Sequence, residues 1–478
     1  DRAALPVPGA LAGNEARAPR TVLESLVLRV WREVMERRDI GVQDDFFGLG
    51  GDSIRAIQIV SRLRQEGWRS EIRDVFQNPT AEQFATVLRP VVVRADQGPV
   101  VGEVPLTPIQ SWFLESSERP HHFNQAVVLR AERIEPEAMG AALAEVWRHH
   151  DALRARFTRG DEGWHQIVRA PDAPPRLAEL PAHGSRTLGG EAAFAAAASA
   201  LQAGFRLDRT PLVAALLDRT GPRHRLLLVV HHLVIDAISW GILLEDLEAA
   251  YDAALAGTAP RLPEKTHSYR DHAEALATIA ERIDWTSRLR AWRQIAPDPD
   301  LEAHRARVGD TLSLRARLPR ALTASLVGEA NRAYGTNPED LLLAALAVAL
   351  ERRSGIGRTL VTVEGHGREY RPAELLGDRV PATGRTIGWF TMFHPLELRA
   401  CADLADTIRT VKDGRRRVPD HGFTWGLMQA LPEAPRLRPG FSFNYLGQMS
   451  TQARSGGRFA VDWDAPGGAL DPESARPH

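Results

Sequence analysis

Two adjacent histidines, His231 and His232, follow an apolar run and precede Asp236. The apolar run, residues 225–230, has the composition of a buried β-strand, and the residues after Asp236 have that of a helix. A side chain at the end of a strand is held firmly enough to face a cleft. An imidazole exchanges protons near neutral pH. We therefore expect His232 to transfer protons and His231 to orient or pack the motif.

Asp236, Ser239 and Trp240 complete this motif, and we assign them supporting roles. Asp236 lies close enough to His232 along the chain to fix the loop by hydrogen bonding or by pairing with an arginine. The alternative for such histidines is partial burial with the ring nitrogens satisfied by the backbone, which we prefer for His231. Two further histidine pairs, at 121–122 and 149–150, are expected to be surface or capping residues.

Glu364 is a second candidate for acid–base chemistry, because it ends a predicted strand and precedes Gly365 and Gly367. The glycines leave room for backbone and substrate near its carboxyl group. Two such groups on opposite walls of a cleft could remove a proton from one face of a carbon atom and return one to the other face. Burial in an apolar passage would raise the pKa of the carboxyl group towards neutrality. We therefore pair His232 with Glu364, leaving open which of them removes the first proton.

An enolate formed by such proton removal needs a hydrogen-bond donor at its oxygen. Asn444 and Tyr445, or a backbone N–H at a helix end, are the candidates.

Ser53 marks a separate site in the first hundred residues. It follows Gly48, Gly50, Gly51 and Asp52 and begins a predicted helix. Glycines keep side chains away, so that a large group can approach. The free N–H groups and the dipole of a helix N-terminus favour a phosphodiester anion. The alternative is that Ser53 only caps the helix.

Composition excludes several classes of function. The chain has 478 residues, a hydrophobic fraction of 44% and a formal net charge of -1, so no global field attracts nucleic acid or an anionic membrane. The single cysteine, Cys401, cannot form an internal disulfide or a thiolate zinc site, which fits a reducing cytoplasm. We expect no bound metal. The spacings of a dinucleotide fingerprint, a phosphate loop and a hydrolase elbow are absent.

Hydrophobic periodicity predicts a small helical unit followed by a larger α/β region. The small unit has helices beginning near 21, 53, 72 and 80, and a loop over 41–51. In the larger region we predict strands at 126–129 and 225–230, one ending at 364 and one at 441–445. The predicted helices there are 136–149, 236–255 and 338–353. About 370 residues of such structure should divide into two lobes.

Several segments resemble one family of multidomain enzymes. Residues 44–54 resemble the attachment site of peptidyl carrier domains, and residues 231–240 resemble the signature of the condensation superfamily. The segments that resemble epimerisation-domain motifs are 108–113 with 122–125, 364–369, 385–391 and 443–448. The chain is thus similar to a peptidyl carrier domain joined to an epimerisation domain of a nonribosomal peptide synthetase.

The resemblance implies a multidomain fold in which an all-α four-helix carrier domain precedes a two-lobed α/β chloramphenicol-acetyltransferase-like domain. The expected boundaries are a linker at 1–20, similar to the tail of an adenylation domain, the carrier at 21–90, a second linker at 91–103, and lobes at 104–280 and 281–478. Ser53 would carry 4′-phosphopantetheine, with Asp52 beside it. The expected reaction is L-to-D epimerisation of an aminoacyl or peptidyl thioester on that arm.

The implied partners are an upstream adenylation domain, a downstream condensation domain and a phosphopantetheinyl transferase, with no nucleic acid and no membrane. Two other functions stay open: a condensation domain that forms amide bonds, and a non-catalytic docking domain of the same fold. The family usually has glycine after the aspartate of the histidine motif. Ala237 stands there, and we expect a slightly altered turn.

Overall fold

The structure is a computed structural model that describes residues 17–91, 95–180, 190–209, 211–297, 307–447 and 457–474. Most of the first predicted linker, 1–16, part of the second, 92–94, and Gln448 of the last motif lie outside the described residues. The chain forms two compact units. The first comprises Asp1–Arg94 with Ala316–Leu346, and the second comprises Ala95–Arg315 with Ala347–His478.

Helices and short strands alternate along most of the chain. The helices are α1 (Val22–Val34), α2 (Ser53–Gln65), α3 (Ile72–Gln77), α4 (Ala81–Val87), α5 (Pro108–Ser116), α6 (Pro136–His149), α7 (Gly190–Ala203), α8 (Ala237–Leu255), α9 (Tyr269–Arg282), α10 (Trp285–Arg293), α11 (Arg320–Val327), α12 (Glu329–Tyr334), α13 (Pro338–Ser354), α14 (Leu404–Arg417) and α15 (Trp425–Met428). The strands are β1 (Trp68–Arg69), β2 (Arg89–Pro90), β3 (Gly102–Val104), β4 (Asn124–Ala131), β5 (Ala155–Gly160), β6 (Gly163–Val168), β7 (Leu177–Glu179), β8 (Val213–Asp218), β9 (His224–His231), β10 (Arg358–Gly365), β11 (Met392–Arg399), β12 (Phe441–Phe443) and β13 (Ala460–Asp462).

The first unit contains α1–α4, at the positions that the apolar period predicts. Thr21 caps α1 by accepting the Glu24 N–H at 3.0 Å. The core gathers around Trp31, whose ring lies 5.4 Å from Phe46 and 6.5 Å from Phe84. The unit departs from an all-α fold in one detail, since β1 and β2 pair antiparallel.

The second unit contains a five-stranded sheet in the order β13-β4-β9-β8-β7. Its central strand β9 is apolar and buried from residue 226 to 231, because the sheet is covered on both faces. Helices α6 and α8 pack against each other, and their apolar sides enter the same core as β4 and β9. The motif histidines follow directly from this rigid strand.

Two three-stranded sheets complete the second unit, in the orders β11-β10-β12 and β3-β6-β5. In the first, β10 lies antiparallel to β11 and parallel to β12. Strand β13 falls in the range that we predicted for the second lobe, yet it pairs with β4. The large sheet therefore takes a strand from near the end of the described chain.

Candidate active site

In the first unit, the loop before α2 presents Ser53. The N-cap of α2 is Asp52, whose Oδ1 accepts the Arg55 N–H at 2.9 Å, and Ser53 is the first helical residue. The alternative role of Ser53 as the cap is therefore wrong. The Ser53 side chain is half-buried, and its hydroxyl group is not needed for the cap, which the Asp52 carboxyl group provides.

Gly50 and Gly51 explain the shape of this loop. Gly50 has a φ of 89°, which favours glycine. A Cβ at Gly51 would lie 2.5 Å from the Phe46 ring, which is fully buried, so a side chain here would displace that ring. The glycines place no side chains beside Ser53, which leaves room for a bulky attached group. The helix N-terminus at Ser53 also favours an anionic phosphodiester.

His231 of the second unit is fully buried. Its Nε2 donates to the Pro120 carbonyl at 2.8 Å, and its Nδ1 accepts the Leu233 N–H at 3.2 Å. Burial lowers the pKa of His231 to about 3. Both ring nitrogens are therefore occupied and the ring stays neutral; that His231 orients the loop stays a prediction.

His232 begins a one-turn 3₁₀ helix, His232–Val234, and its ring is half-buried between aromatic rings. Ring centroids lie 5.1 Å away at Phe123 and 4.5 Å away at Trp389. The Nδ1 lies 2.8 Å from the Ile235 carbonyl. Burial lowers the pKa of His232, so the ring is neutral and basic at neutral pH.

Asp236 connects the histidine loop to the segment that follows Glu364. Its carboxylate caps α8 by accepting the Ser239 N–H at 2.7 Å. The Nη2 of Arg368 donates to its two oxygens at 3.2 and 3.3 Å, and the Phe390 N–H donates to Oδ2 at 3.1 Å. Both of the roles weighed for Asp236, in hydrogen bonding and in arginine pairing, are therefore present.

Arg368 is a residue that the sequence analysis missed, although it lies inside a quoted motif. It is buried, and its guanidinium carbon lies 3.8 Å from the centroid of the Phe390 ring. Its Nη1 donates to the carbonyls of Thr383 and Thr386 at 2.6 and 2.9 Å. The sequence did offer a clue, because Arg368 follows Glu364 by four residues and Asp236 was expected to pair with an arginine.

Ser239 and Ala237 lie in the first turn of α8. The Ser239 Oγ donates to the Gly388 carbonyl at 3.0 Å and accepts the Gly388 N–H at 3.1 Å. A Cβ at Gly388 would lie 2.2 Å from the Tyr269 ring. Ala237 is the first residue of a regular helix with no positive φ, so the altered turn that we expected is not needed.

Glu364 lies at the end of β10, where the parallel neighbour β12 also ends. Val363 is in register with Phe443, so the next residues, Glu364 and Asn444, come together. The Asn444 Nδ2 donates to Glu364 Oε2 at 2.7 Å. Burial raises the pKa of Glu364 above that of an exposed glutamate. Tyr445 follows and is half-buried.

Gly365 and Gly367 bring protein backbone, rather than open space, beside Glu364. Gly367 has a φ of 61°, and a Cβ there would lie 1.8 Å from the Phe390 carbonyl oxygen. A Cβ at Gly365 would lie 2.9 Å from Met392 Cε. We expected the glycines to let other groups come close to Glu364, and the group that comes close here is the neighbouring chain segment.

No hydrogen bond joins His232 to Glu364 among the described residues. One short segment, however, packs against His232 at one end and pairs with Glu364 at the other. Trp389 packs against His232, and Phe393 is the register partner of Glu364. At about 3.5 Å a residue, the chain from Trp389 to Phe393 spans no more than about 14 Å. The side chains of His232 and Glu364 therefore belong to the same region of the second unit.

The other histidine pairs were assigned as surface or capping residues, and this is wrong in part for His150. It is the C-cap of α6, but it is buried and its Nε2 lies 2.9 Å from Asp246 Oδ2. With His149, these residues offer three potential ligand atoms within 4.8 Å of one another. Arg385 also bonds to Asp246, which makes this a structural ion-pair network.

The comparisons with known proteins agree with this organisation. Residues 25–88 match a family described as a phosphopantetheine attachment site, and residues 100–460 match the condensation domain family. The chain is 37% identical to surfactin synthase subunit 1 of Bacillus subtilis over 498 residues, which is 100% of this chain and 14% of that protein. In the part of the chain that the structure describes, no helix is long and apolar enough to cross a membrane.

Two solved structures show the fold of the second unit. The epimerization domain from the third module of tyrocidine synthetase B is 32% identical, with a TM-score of 0.71, and the match covers 80% of this chain and 88% of that one. The first condensation domain of the calcium-dependent antibiotic synthetase is 19% identical, with a TM-score of 0.56, over 76% and 84%. The predicted fold class is confirmed. The chain belongs to the condensation domain family and carries a phosphopantetheine attachment domain ahead of its condensation-type domain.

Proposed function

We propose that the second unit epimerises the α-carbon of an aminoacyl or peptidyl group that the first unit holds as a thioester, in nonribosomal peptide biosynthesis. The observation that carries the proposal is the half-buried carboxyl group of Glu364, whose pKa is raised and which accepts a hydrogen bond from Asn444. The similarity to a solved epimerization domain, higher than to the condensation domain, supports the same reaction.

His232 serves as the base in this proposal. Its ring is neutral, and its Nδ1 faces the Ile235 carbonyl, so proton transfer must use Nε2. The lone pair of Nε2 faces the Gln125 amide at 2.9 Å, and it can take the α-proton once that hydrogen bond opens. The stacked rings of Phe123 and Trp389 fix the plane of the imidazole. Removing the proton leaves the electron pair on the α-carbon, delocalised into the thioester carbonyl.

Glu364 serves as the acid that returns a proton to the opposite face. Because its pKa is raised, its carboxyl group stays protonated to a higher pH than an exposed glutamate would. One turnover transfers a proton to His232 and takes one from Glu364, so both groups must exchange with solvent before the next. With the two protonation states reversed, the same pair returns the D-form to the L-form. Tyr445 and Asn444 remain the candidates for the donor to the enolate oxygen.

In this proposal Ser53 carries the 4′-phosphopantetheine arm, which supplies the terminal thiol for the thioester. The N-terminus of α2, which Asp52 caps, would stabilise the negative charge of the phosphodiester. A phosphopantetheinyl transferase adds the arm, an upstream adenylation domain supplies the amino acid, and a downstream condensation domain accepts the D-product.

The test is α-proton exchange in heavy water, with an L-aminoacyl-pantetheine loaded on Ser53 of the full chain. The wild type should incorporate deuterium at the α-carbon and release a D/L mixture. His232→Ala and Glu364→Gln should each lower exchange by about 100-fold or more, the size of a general acid–base contribution. Wild-type exchange in either variant would exclude the pair.

Two matched controls leave the fold and the loading unchanged. His165→Ala removes an exposed histidine of β6, and Glu351→Gln removes an exposed carboxylate of α13. Both should exchange like the wild type. A condensation domain would instead form an amide bond once a second loaded carrier is added, and a docking domain would give neither product. Each alternative therefore has its own readout.

A further inference from the structure

The side chain of Gln125 lies between two residues of the histidine motif. Its Oε1 accepts the Trp240 Nε1–H at 2.7 Å, and its Nε2 lies 2.9 Å from His232 Nε2. Gln125 belongs to β4, where it is the register partner of Val230 in β9. The amide thus reaches the histidine from the neighbouring strand of the same rigid sheet.

The direction of every hydrogen bond in this chain follows from the indole. An indole N–H only donates, so the Gln125 atom that faces Trp240 is its carbonyl oxygen. The atom that faces His232 is then the amide nitrogen, which also only donates. His232 Nε2 must therefore accept and carries no proton. The proton sits on Nδ1, in agreement with the Ile235 carbonyl at 2.8 Å.

We propose that Gln125 is a positioning residue that holds His232 in the tautomer with an unprotonated Nε2, and that Trp240 anchors its amide. The catalytic consequence rests on the proposed function. The single lone pair of Nε2 accepts the Gln125 N–H, so this hydrogen bond must open before His232 can take a proton there. The protonated Nε2 is then a donor that faces the donor of Gln125. Because Trp240 resists rotation of the amide, the charged imidazole is disfavoured and the proton is released again.

The surroundings of His232 contain few other groups that titrate. His231 is the neighbouring residue and stays neutral, and Asp236 from the same loop is paired with Arg368. The groups that contact His232 from β4 and from the 386–391 segment, beside Gln125, are the uncharged rings of Phe123 and Trp389. Gln125 is therefore the polar side chain from outside the loop that can set the protonation of Nε2.

The experiment is a pH titration of the full chain labelled with ¹⁵N-histidine, because ¹⁵N shifts report the tautomer and the charge of each ring. His232→Ala identifies the signal. The wild type should show an Nδ1–H tautomer at neutral pH. In Gln125→Glu a carboxylate oxygen faces Nε2, so the pKa of His232 should rise by about 1 to 3 units. Exchange at neutral pH should fall, and it should recover as the pH rises past the new pKa.

Two milder variants test the anchor, and one serves as a control. Gln125→Met and Trp240→Phe should each shift the pKa of His232 upward by less than Gln125→Glu. Gln110 is also buried and donates to the Leu233 carbonyl at 3.0 Å. Because Gln110 has no hydrogen bond to His232 among the described residues, Gln110→Met should leave the His232 titration unchanged.

A wild-type His232 with its proton on Nε2 would overturn the proposal, as would an unshifted titration in both Gln125→Glu and Gln125→Met. If Gln125→Glu does not fold, Gln125→Met and Trp240→Phe decide. The titration needs no turnover, so its result is separate from the proposed reaction. A shifted titration without any α-proton exchange in the wild type would reject epimerisation and keep the role of Gln125 in the tautomer.

Discussion

Two loops of this molecule, one in each unit, end in an aspartate that caps the following helix. They differ in the other contacts of that aspartate. Asp52 caps α2 through the Arg55 N–H at 2.9 Å, and Asp236 caps α8 through the Ser239 N–H at 2.7 Å. The cap at Asp52 is local, because the N–H that it binds lies three positions along the chain. Asp236 instead also binds Arg368, more than a hundred residues away. One cap is made within a few residues, and the other also holds a distant segment of its unit.

Acid should separate the two units most strongly, because all sixteen histidines of the chain lie in the second unit. Burial lowers the pKa values of His231, His272 and His394 to about 3. Below about pH 6.5 these histidines bind protons in the unfolded chain but stay neutral in the folded chain. Stability is therefore lost as the pH falls from about 6.5 towards 3. Each of these histidines costs about 1.4 kcal/mol per pH unit.

The second unit should therefore unfold between about pH 6 and 4, while the first keeps its fold. Amide NMR signals of Gly48, Gly50 and Gly51 report the first unit, and the histidine ring signals report the second. His394→Leu should lower the midpoint, whereas the exposed His165→Ala should not change it. Unfolding of both units at one pH would remove the distinction between them.

Removing each of the two caps should lower the free energy of unfolding by a different amount. Asp236→Ala leaves Arg368 buried without its partner and should cost about 3 to 5 kcal/mol. Asp52→Ala removes an N-cap and should cost about 1 kcal/mol. Urea unfolding followed separately for each unit measures both values. The double variant Asp236→Ala with Arg368→Met should recover part of the loss, and equal costs for the two single variants would contradict the comparison.

Two glycine substitutions should cost less than Asp236→Ala, and their effects on function should differ between the two units. Gly367→Ala forces a side chain to a φ of 61° against the Phe390 carbonyl and should cost about 1 to 3 kcal/mol. It should also lower α-proton exchange, because Phe390 precedes the segment that meets Glu364. Gly51→Ala displaces the Phe46 ring at a similar cost. It should slow attachment at Ser53, measured by intact mass, and leave exchange on a free pantetheine substrate unchanged.

The same contrast explains how far the sequence could be interpreted. The predicted start and end of α2 agree with the structure, because the glycines, Asp52 and the helical period are all local signals. Helix α6 and strand β9 were likewise found from short-range patterns.

The contacts that complete the second site were not predictable in this way. Gln125 and Arg368 lay inside quoted motifs without an assigned role, since their partners come from distant parts of the chain. A hydrogen bond between strands or across the unit depends on register and packing, which a single sequence does not reveal. The pairing of β13 with β4 has the same origin.

That last pairing has a consequence for how the chain is made. Arg130 in β4 bonds to Asp462 in β13 across 332 residues of chain. At about 5 to 20 residues per second, a ribosome needs roughly 15 to 70 seconds to supply the second partner after the first. For that interval β4 is an unprotected sheet edge on a nascent polypeptide, able to bind any extended neighbour. Synthesis rate and chaperone access therefore bear directly on the yield of correctly assembled enzyme.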